Sequence, residues 1–431
     1  MTTLTDNVFG FIENRVTPVA GKAASQRHIM AMRDGFISAM PFMIVGSFLL
    51  IFAFPPFAAD SNWAIAQVWL QLAEQYQGQL LTPFNMTMGI MSVYITAAIS
   101  YNLAQSYSME PFMPAMLSLM SFLLVAAPLT EGGLPAGYLG GTGIFTAILV
   151  SLYSTELMYF LQRKNIGIKM PEQVPGKIKQ SFDLLIPILL VVLTIYPLNL
   201  YIESQTGMII PEAIMTAFKP LVSAADSLPA ILLAVLLTHV LWFAGIHGAA
   251  IVGGMLQAFW LTNLSANQTA LAAGAQIPHV FVEGFWSFFI VLGGSGATLG
   301  LVFLFMRSRA AHLKTIGKIS VVPSLFNINE PVIFGTPLIM NPTFFIPFIT
   351  APLVNATIAY FCVKTGIVGA VISVVPWTAP APVGAAWAAG WAISSSILVV
   401  VLMLVATAIY YPFFKVYEKQ LLAQEAQGEE N

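Results

Sequence analysis

The sequence predicts an all-α integral membrane protein with about ten transmembrane helices, two re-entrant hairpins and interfacial amphipathic helices. Three observations carry this. Of 431 residues, 58% are hydrophobic and only 8% are charged, against about 25% charged in a soluble chain. The apolar residues fall in runs of about 20, the length that crosses a bilayer. Most of the positive charges sit in four short clusters, the pattern of loops on one side of a membrane. This composition excludes a soluble enzyme, a disordered chain and a secreted disulfide scaffold. A count of 17 Lys+Arg against 19 Asp+Glu leaves no basic excess for nucleic acid. The single cysteine, Cys362, lies in an apolar stretch and reads as a small buried hydrophobe.

The elements follow in order. Leu4, Val8, Phe11, Ile12 and Val16 recur at helical spacing, with Arg15, Lys22 and Arg27 around them. They predict a helix lying on the cytoplasmic membrane face, and no signal peptide, since no unbroken apolar segment with a cleavage site follows. The clusters are Arg15 to Arg33, Arg163 to Lys179, Arg307 to Lys318, and Lys415 with Lys419. The positive-inside rule places all four, and both termini, in the cytoplasm. An even number of crossings must separate them. Four fit between the first two clusters, at about 34–54, 83–105, 111–129 and 143–161. Residues 55–82, with Trp63, Trp69, Leu72 and Tyr76, read as an interfacial helix on the outer side. Four more spans fall at about 183–203, 228–245, 247–262 and 281–306, the third of them short and starting in Gly-rich sequence.

The stretch from Lys318 to Lys415 is too long and too rich in Pro and Gly for two plain spans. Two spans, about 343–363 and 391–414, with re-entrant segments at about 319–342 and 366–390, satisfy it. Both segments contain Ser-Val-Val-Pro, at Ser320 to Pro323 and Ser373 to Pro376, a match too short to establish a repeat. The basic loop 162–180 divides residues 1–180 from a C-terminal membrane domain, 181–419, and 420–431 reads as a polar, disordered tail. The fifth span is grouped with the N-terminal domain for dimerisation.

Polar groups inside apolar spans mark candidate sites. Glu330 stands with Asn327 and Asn329 inside the first broken segment, next to Pro331, which biases Asn329–Glu330 away from regular helix. A carboxylate at mid-membrane costs about 2.5–3.5 kcal/mol on an insertion scale. Water, a cation or a hydroxyl-rich ligand must offset that cost. His247, between Gly245 and Gly248, is a second candidate. Trp242 and Trp377 flank the two regions and offer aromatic platforms of the kind carbohydrate sites use. Asp34, Glu156 and Asp183 lie near span ends and read as structural, as do His279 and His312. His239 is a weaker candidate on a regular helix. Gly293 to Gly300 lacks the dinucleotide-binding pattern, and its Gly296/Gly300 pair reads as close helix packing. No HExxH, paired Cys or Walker motif occurs, so no metal, cofactor or ATP hydrolysis is expected. These residues point to a transporter for a neutral, hydroxylated solute. An ion-coupled carrier using Glu330 or Glu283, and an intramembrane enzyme pairing Glu330 with His247, are the alternatives.

Three motifs then resemble a known family. They are Trp242-Phe-Ala-Gly-Ile-His-Gly248, Phe326-Asn-Ile-Asn-Glu-Pro-Val-Ile-Phe-Gly-Thr-Pro-Leu-Ile-Met-Asn-Pro342, and Arg33-Asp-Gly-Phe-Ile-Ser-Ala-Met-Pro41. They resemble the membrane component, enzyme IIC, of the bacterial sugar phosphotransferase system, in its lactose/cellobiose/diacetylchitobiose group. The resemblance implies ten spans, two re-entrant hairpins, a homodimer formed through the N-terminal half, and a C-terminal half that carries the sugar as an elevator. It implies that a phosphorylated cysteine on a separate enzyme IIB phosphorylates the 6-hydroxyl of a β-linked disaccharide. Glu330 and His247 match the groups at that hydroxyl, Glu330 as the candidate base. By the resemblance Asn329 supports Glu330, and Trp242 and Trp377 match aromatic contacts at the sugar; Asn327 and Asn329 read as further substrate-binding candidates. The chain departs from the family pattern at two places. Ala249 and Ala250 follow the His-Gly pair where an Asn is expected, and Thr336 stands where an apolar residue is commoner. The resemblance places the chain in the bacterial cytoplasmic membrane.

Overall fold

The computed structural model describes residues 18, 22 and 25–428, apart from 56, 58, 59, 130, 131, 169, 170, 172, 176–181, 183, 337, 339 and 340. The expected surface helix at Leu4 to Val16 lies outside the described residues, as do Asp183 and Lys169, Lys177 and Lys179 of the second basic cluster. The described chain is helical, with no strand among those residues.

Among the described residues, seven α-helices of more than ten residues precede a sharp bend. They are α1 (Arg27–Ala53), α2 (Ala64–Asn85), α3 (Met91–Ser106), α4 (Phe112–Ala126), α5 (Ile144–Arg163), α6 (Leu185–Thr206) and α7 (Ile210–Ala225). Gln26 starts α1 by accepting the Ile29 amide at 2.7 Å. Helices α1, α3, α4 and α5 pack as a bundle, and α6 and α7 lean on α4 and α5. Small hydroxyls join this bundle: Ser100 meets Thr155 at 2.7 Å and Ser118 meets Ser154 at 2.5 Å, all buried. Lipid is as apolar as leucine, so close small residues and hydroxyl contacts supply the association that burial supplies in water. At one end of the bundle, Glu156 accepts from Tyr107 and, at 2.8 Å, from His28. That is the structural role expected of it.

Helix α8 (Leu228–Phe243) leaves α7 at a 76° bend. The Asp226 carboxylate at that bend accepts the Val280 and Phe281 amides, at 3.0 and 2.6 Å, and meets His279 Nδ1 at 3.1 Å. Beyond it come α9 (Gly248–Ala272), α10 (Leu299–Met306), α11 (Ala311–Leu325), α12 (Glu330–Gly335), α13 (Pro342–Lys364), α14 (Ala381–Ala388) and α15 (Ile393–Gly428). Helix α13 packs between α8 and α15, and α10 lies against α11 and α15.

Several expected boundaries change. Among the described residues, six helices are long and apolar enough to cross a membrane, or seven if α7 and α8 form one span. The span expected at 83–105 starts late: residues 83–85 still belong to α2, and α3 begins at Met91. The span expected at 247–262 runs on to Ala272. Helix α7 was not anticipated, and its Pro211 sits in the first turn, where a missing N–H costs nothing. The tail expected to be disordered is helical to Gly428, because α15 continues past the predicted end at 414.

The largest correction concerns 281–306, which is not one span. A helical turn at Glu283–Phe285 passes into a π-helix at Trp286–Ile290, then into turns, and only α10 is regular helix. Gly296 therefore lies in a turn at φ +88°, its carbonyl accepting from Tyr410 at 2.7 Å. Only the Gly300 half of the expected pair is helical, packed on Thr407 of α15.

Non-helical backbone at membrane depth must find internal partners. Helix α9 supplies many. Asn263 donates to the Phe281 carbonyl at 3.0 Å, and Asn267 exchanges bonds with the His279 amide and carbonyl while reaching the Val371 carbonyl at 3.0 Å. Gln268 reaches the Ile372 carbonyl at 2.9 Å. A row of buried amides on one apolar helix thus holds two irregular segments in place.

Candidate functional site

One cavity, of about 470 Å³, collects six of the candidate site residues: Trp242, His247, Asn327, Asn329, Glu330 and Trp377. Its volume lies within the roughly 300–1,000 Å³ of small-molecule sites. Four parts of the chain enclose it. They are α1, the α8–α9 turn with the start of α9, the broken segment 283–295, and the tips of the segments around 327–330 and 377.

His247 is the N-cap of α9. Its Nδ1 accepts the Ala250 amide at 3.1 Å, so in the neutral ring the proton lies on Nε2, where it can be donated to a ligand. Trp242, at the end of α8, packs on that ring with centroids 4.4 Å apart. Gly248 makes the tight turn between them possible, because a side chain there would strike the Thr238 carbonyl.

Helix α11 ends at Leu325, and α12 starts at Glu330. Between them Asn327 adopts φ +61°, a left-handed conformation that Asn tolerates. Its amide is committed to backbone. Oδ1 accepts the Gly293 N–H at 2.9 Å, and Nδ2 donates to the Trp377 carbonyl at 2.7 Å and the Ala379 carbonyl at 3.1 Å. One side chain therefore ties together three broken segments. Asn329 donates to the Ser295 carbonyl at 2.6 Å and Thr298 Oγ1 at 2.9 Å.

Glu330 follows as the first residue of α12. It is exposed to the cavity and makes no hydrogen bond or ion pair among the described residues. The carboxylate thus stands at a hairpin tip with its oxygens unpartnered among the described residues. Trp377 is 47% exposed and presents its ring to the same space.

Gly294 sits at φ +101°, and a Cβ on it would fall 2.8 Å from Asn329 Cβ and still nearer the amide. Gly294→Ala is expected to lower thermal stability in detergent and weaken ligand binding together, by about 1–3 kcal/mol for the strained backbone. A variant with unchanged melting temperature and affinity would show that the two hairpin segments are not held at this contact.

Sequence reasoning left several wall residues outside the site. Arg33 and Asp34 of α1 line the cavity, as do Gln257, Trp260, Glu283 and Trp286. Glu283 accepts from Gln257 Nε2 at 3.0 Å. An acidic residue in an apolar stretch was the available signal for Glu283, and Asp34 within the Arg33–Pro41 motif was another. Ala249 and Ala250, the departure from the family pattern, also line the cavity. His239 does not. It is buried, with Nδ1 2.6 Å from the Val235 carbonyl.

The site thus combines four indoles, three carboxylates, an arginine and a histidine in one mostly apolar cavity. The family model described as "Phosphotransferase system, EIIC" matches residues 33–352. The chain belongs to the EIIC family. This EIIC chain is 37% identical to the "PTS system cellobiose-specific EIIC component" of Geobacillus stearothermophilus, over 97% of this chain and 96% of that protein. It is 36% identical to the "PTS system lactose-specific EIICB component" of Streptococcus mutans, over 95% of this chain and 72% of that longer protein. Among solved structures, it matches the crystal structure of the transporter ChbC, the IIC component from the N,N'-diacetylchitobiose-specific phosphotransferase system. That match has a TM-score of 0.90 and 36% identity, over 96% of this chain and 99% of the other. The EIIC chain is a multi-pass membrane protein of the phosphotransferase system, and this family works with an enzyme IIB.

Proposed function

We propose that this EIIC imports a β-linked disaccharide of the cellobiose or diacetylchitobiose type and presents its 6-hydroxyl to a phosphorylated enzyme IIB. The observation that carries this reading is Glu330, a carboxylate with no hydrogen bond or ion pair among the described residues, at a hairpin tip in a cavity lined by indoles. Relatives named for cellobiose and lactose, and a structural neighbour named for diacetylchitobiose, support the substrate class.

Glu330 takes the proton of the 6-hydroxyl as the oxygen attacks phosphorus. His247 donates from Nε2 to a neighbouring sugar oxygen. Trp242 and Trp377 offer ring faces to the apolar sides of the sugar. Asn327 and Asn329 act by holding the tip that carries Glu330. Phosphorylation adds about −1.5 to −2 charges, which bars return through an apolar path, so transfer traps the sugar without an ion gradient.

The setting completes the reading. The chain lies in the bacterial cytoplasmic membrane with both termini cytoplasmic, as its basic clusters indicate. It forms a homodimer through its N-terminal half, where the exposed apolar face of α6, with Leu189, Leu193 and Tyr201, is an available surface. The C-terminal half moves as the elevator that carries the site.

The test is reconstitution in liposomes with labelled cellobiose, with and without phosphorylated IIB. Sugar 6-phosphate should form only when IIB is present. Uptake of unmodified sugar driven by a proton gradient would instead assign the chain to ion-coupled transport. Within the same system, Trp377→Ala should weaken sugar affinity about tenfold, near the 1.4 kcal/mol that a lost aromatic contact supplies. Unchanged affinity would reassign Trp377 to hairpin packing.

A further inference from the structure

The chemistry above uses no cation from the cavity wall. Among the described residues, Arg33 is the only lysine or arginine lining the cavity. It stands on α1, whereas Glu330, His247 and Trp377 lie beyond the bend between α7 and α8. Its stem lies along α9 at Gly254, where an added Cβ would sit 3.5 Å from Arg33 Cβ and Cγ. Its head is oriented by its neighbour: Nε and Nη2 both reach Asp34 Oδ1 at 2.8 Å. A guanidinium has five N–H donors. Asp34 engages Nε and Nη2 through one oxygen, so Nη1 keeps both of its hydrogens, with no partner among the described residues.

The charges in the cavity make this placement informative. Asp34, Glu283 and Glu330 all line it. A neutral disaccharide does not require a fixed guanidinium among them. A transferring phosphoryl group does, because it brings about two negative charges into a wall already carrying carboxylates. A planar guanidinium with free donors matches phosphoryl oxygens in both charge and geometry.

We propose that Arg33 is the phosphoryl clamp of this transporter: its Nη1 hydrogens bond the phosphoryl oxygens as the group passes from the partner's cysteine to the sugar. The inference rests on the phosphotransfer reading above. In that step the O6–P bond forms and the S–P bond breaks. The bonding pair leaves on sulfur as thiolate, and the O6 proton goes to the Glu330 carboxylate. Arg33 neither gains nor loses a proton. It stabilises charge where it accumulates, in an apolar surround where such a contact is strong. Because Arg33 reaches the cavity from α1 across α9, transfer also requires these two helices to be packed as they are here.

The experiment compares Arg33→Gln, Arg33→Lys, Arg33→Ala and Glu330→Gln in liposomes with phosphorylated IIB, measuring single-turnover sugar phosphorylation and sugar Kd separately. Arg33→Gln should slow phosphorylation about 10²–10³-fold and leave the sugar Kd within about twofold. Arg33→Lys should recover part of the rate, since it keeps the charge and loses the fork. Millimolar guanidinium should raise the rate of Arg33→Ala, a rescue that a merely structural role would not give.

If Arg33→Gln phosphorylates normally while Glu330→Gln does not, the clamp is refuted and the phosphotransfer reading stands. If the Arg33→Gln Kd weakens in step with its rate, Arg33 is a sugar contact and the clamp is likewise refuted. If the unaltered chain yields no sugar phosphate with IIB, the underlying reading falls, and the clamp with it.

Discussion

Glu330→Gln should abolish sugar phosphorylation while leaving sugar binding and folding largely intact. The substitution keeps shape and removes the base, and general-base assistance is worth about 10²–10⁴ in rate. The geometry makes this variant clean. Glu330 has no hydrogen bond or ion pair among the described residues, so the change breaks none there. Single-turnover phosphorylation by phosphorylated IIB, set beside equilibrium sugar binding and a detergent melting curve, separates the effects. Wild-type phosphorylation by the Gln variant would remove Glu330 from the chemical step and leave it a ligand at most.

The second large effect should come from Asn327, through architecture. Asn327→Leu breaks bonds to the Gly293 amide and to the Trp377 and Ala379 carbonyls. Each buried backbone group left without a partner costs about 1–3 kcal/mol. A branched side chain at φ +61° adds about 1–2 kcal/mol. Sugar affinity should fall at least tenfold and the melting temperature should drop. Asn327→Gly relieves only the backbone term, so it should recover little binding. If Asn327→Gly binds like the wild type, the three bonds do not hold the site together, and the hairpin tips are positioned by packing instead.

The difference between these two asparagine and glutamate roles shows what was legible in the chain. The candidate carboxylate was legible, because an acidic residue beside two Asn and a Pro in an apolar stretch has few explanations. The division of labour was not. Asn327 looks like a sugar ligand in sequence, and its amide turns out to be committed to backbone that lies 34, 50 and 52 residues away. The tetrapeptide Ser-Val-Val-Pro makes the same point. Ser320 to Pro323 lies within α11, whereas Ser373 to Pro376 is non-helical. Local propensity is identical in the two copies. What differs is the company: Asn267 and Gln268 of α9 bond the Val371 and Ile372 carbonyls just before the second copy and hold that backbone open.

The same limit explains the misread span at 281–306. Its composition is apolar enough for a helix, and periodicity cannot register a π-helix or a turn with positive φ at Gly293, Gly294 and Gly296. Those features exist because Asn327, Asn329 and Tyr410 bond the backbone there, and all three come later in the chain.

By itself the sequence determined that this chain lives in a membrane and is helical, and it named Glu330, His247, Trp242 and Trp377. The membrane setting follows from composition, run length and charge, and the candidate residues from short motifs, all of which are local. Only the tertiary structure decided which helices are broken, that α1 contributes Arg33 and Asp34 to the cavity, and which polar side chains face it with donors or acceptors to spare. The reason is physical. In a bilayer every irregular backbone group must find a partner inside the protein, and that partner is supplied by whatever the fold brings alongside, however distant in the chain.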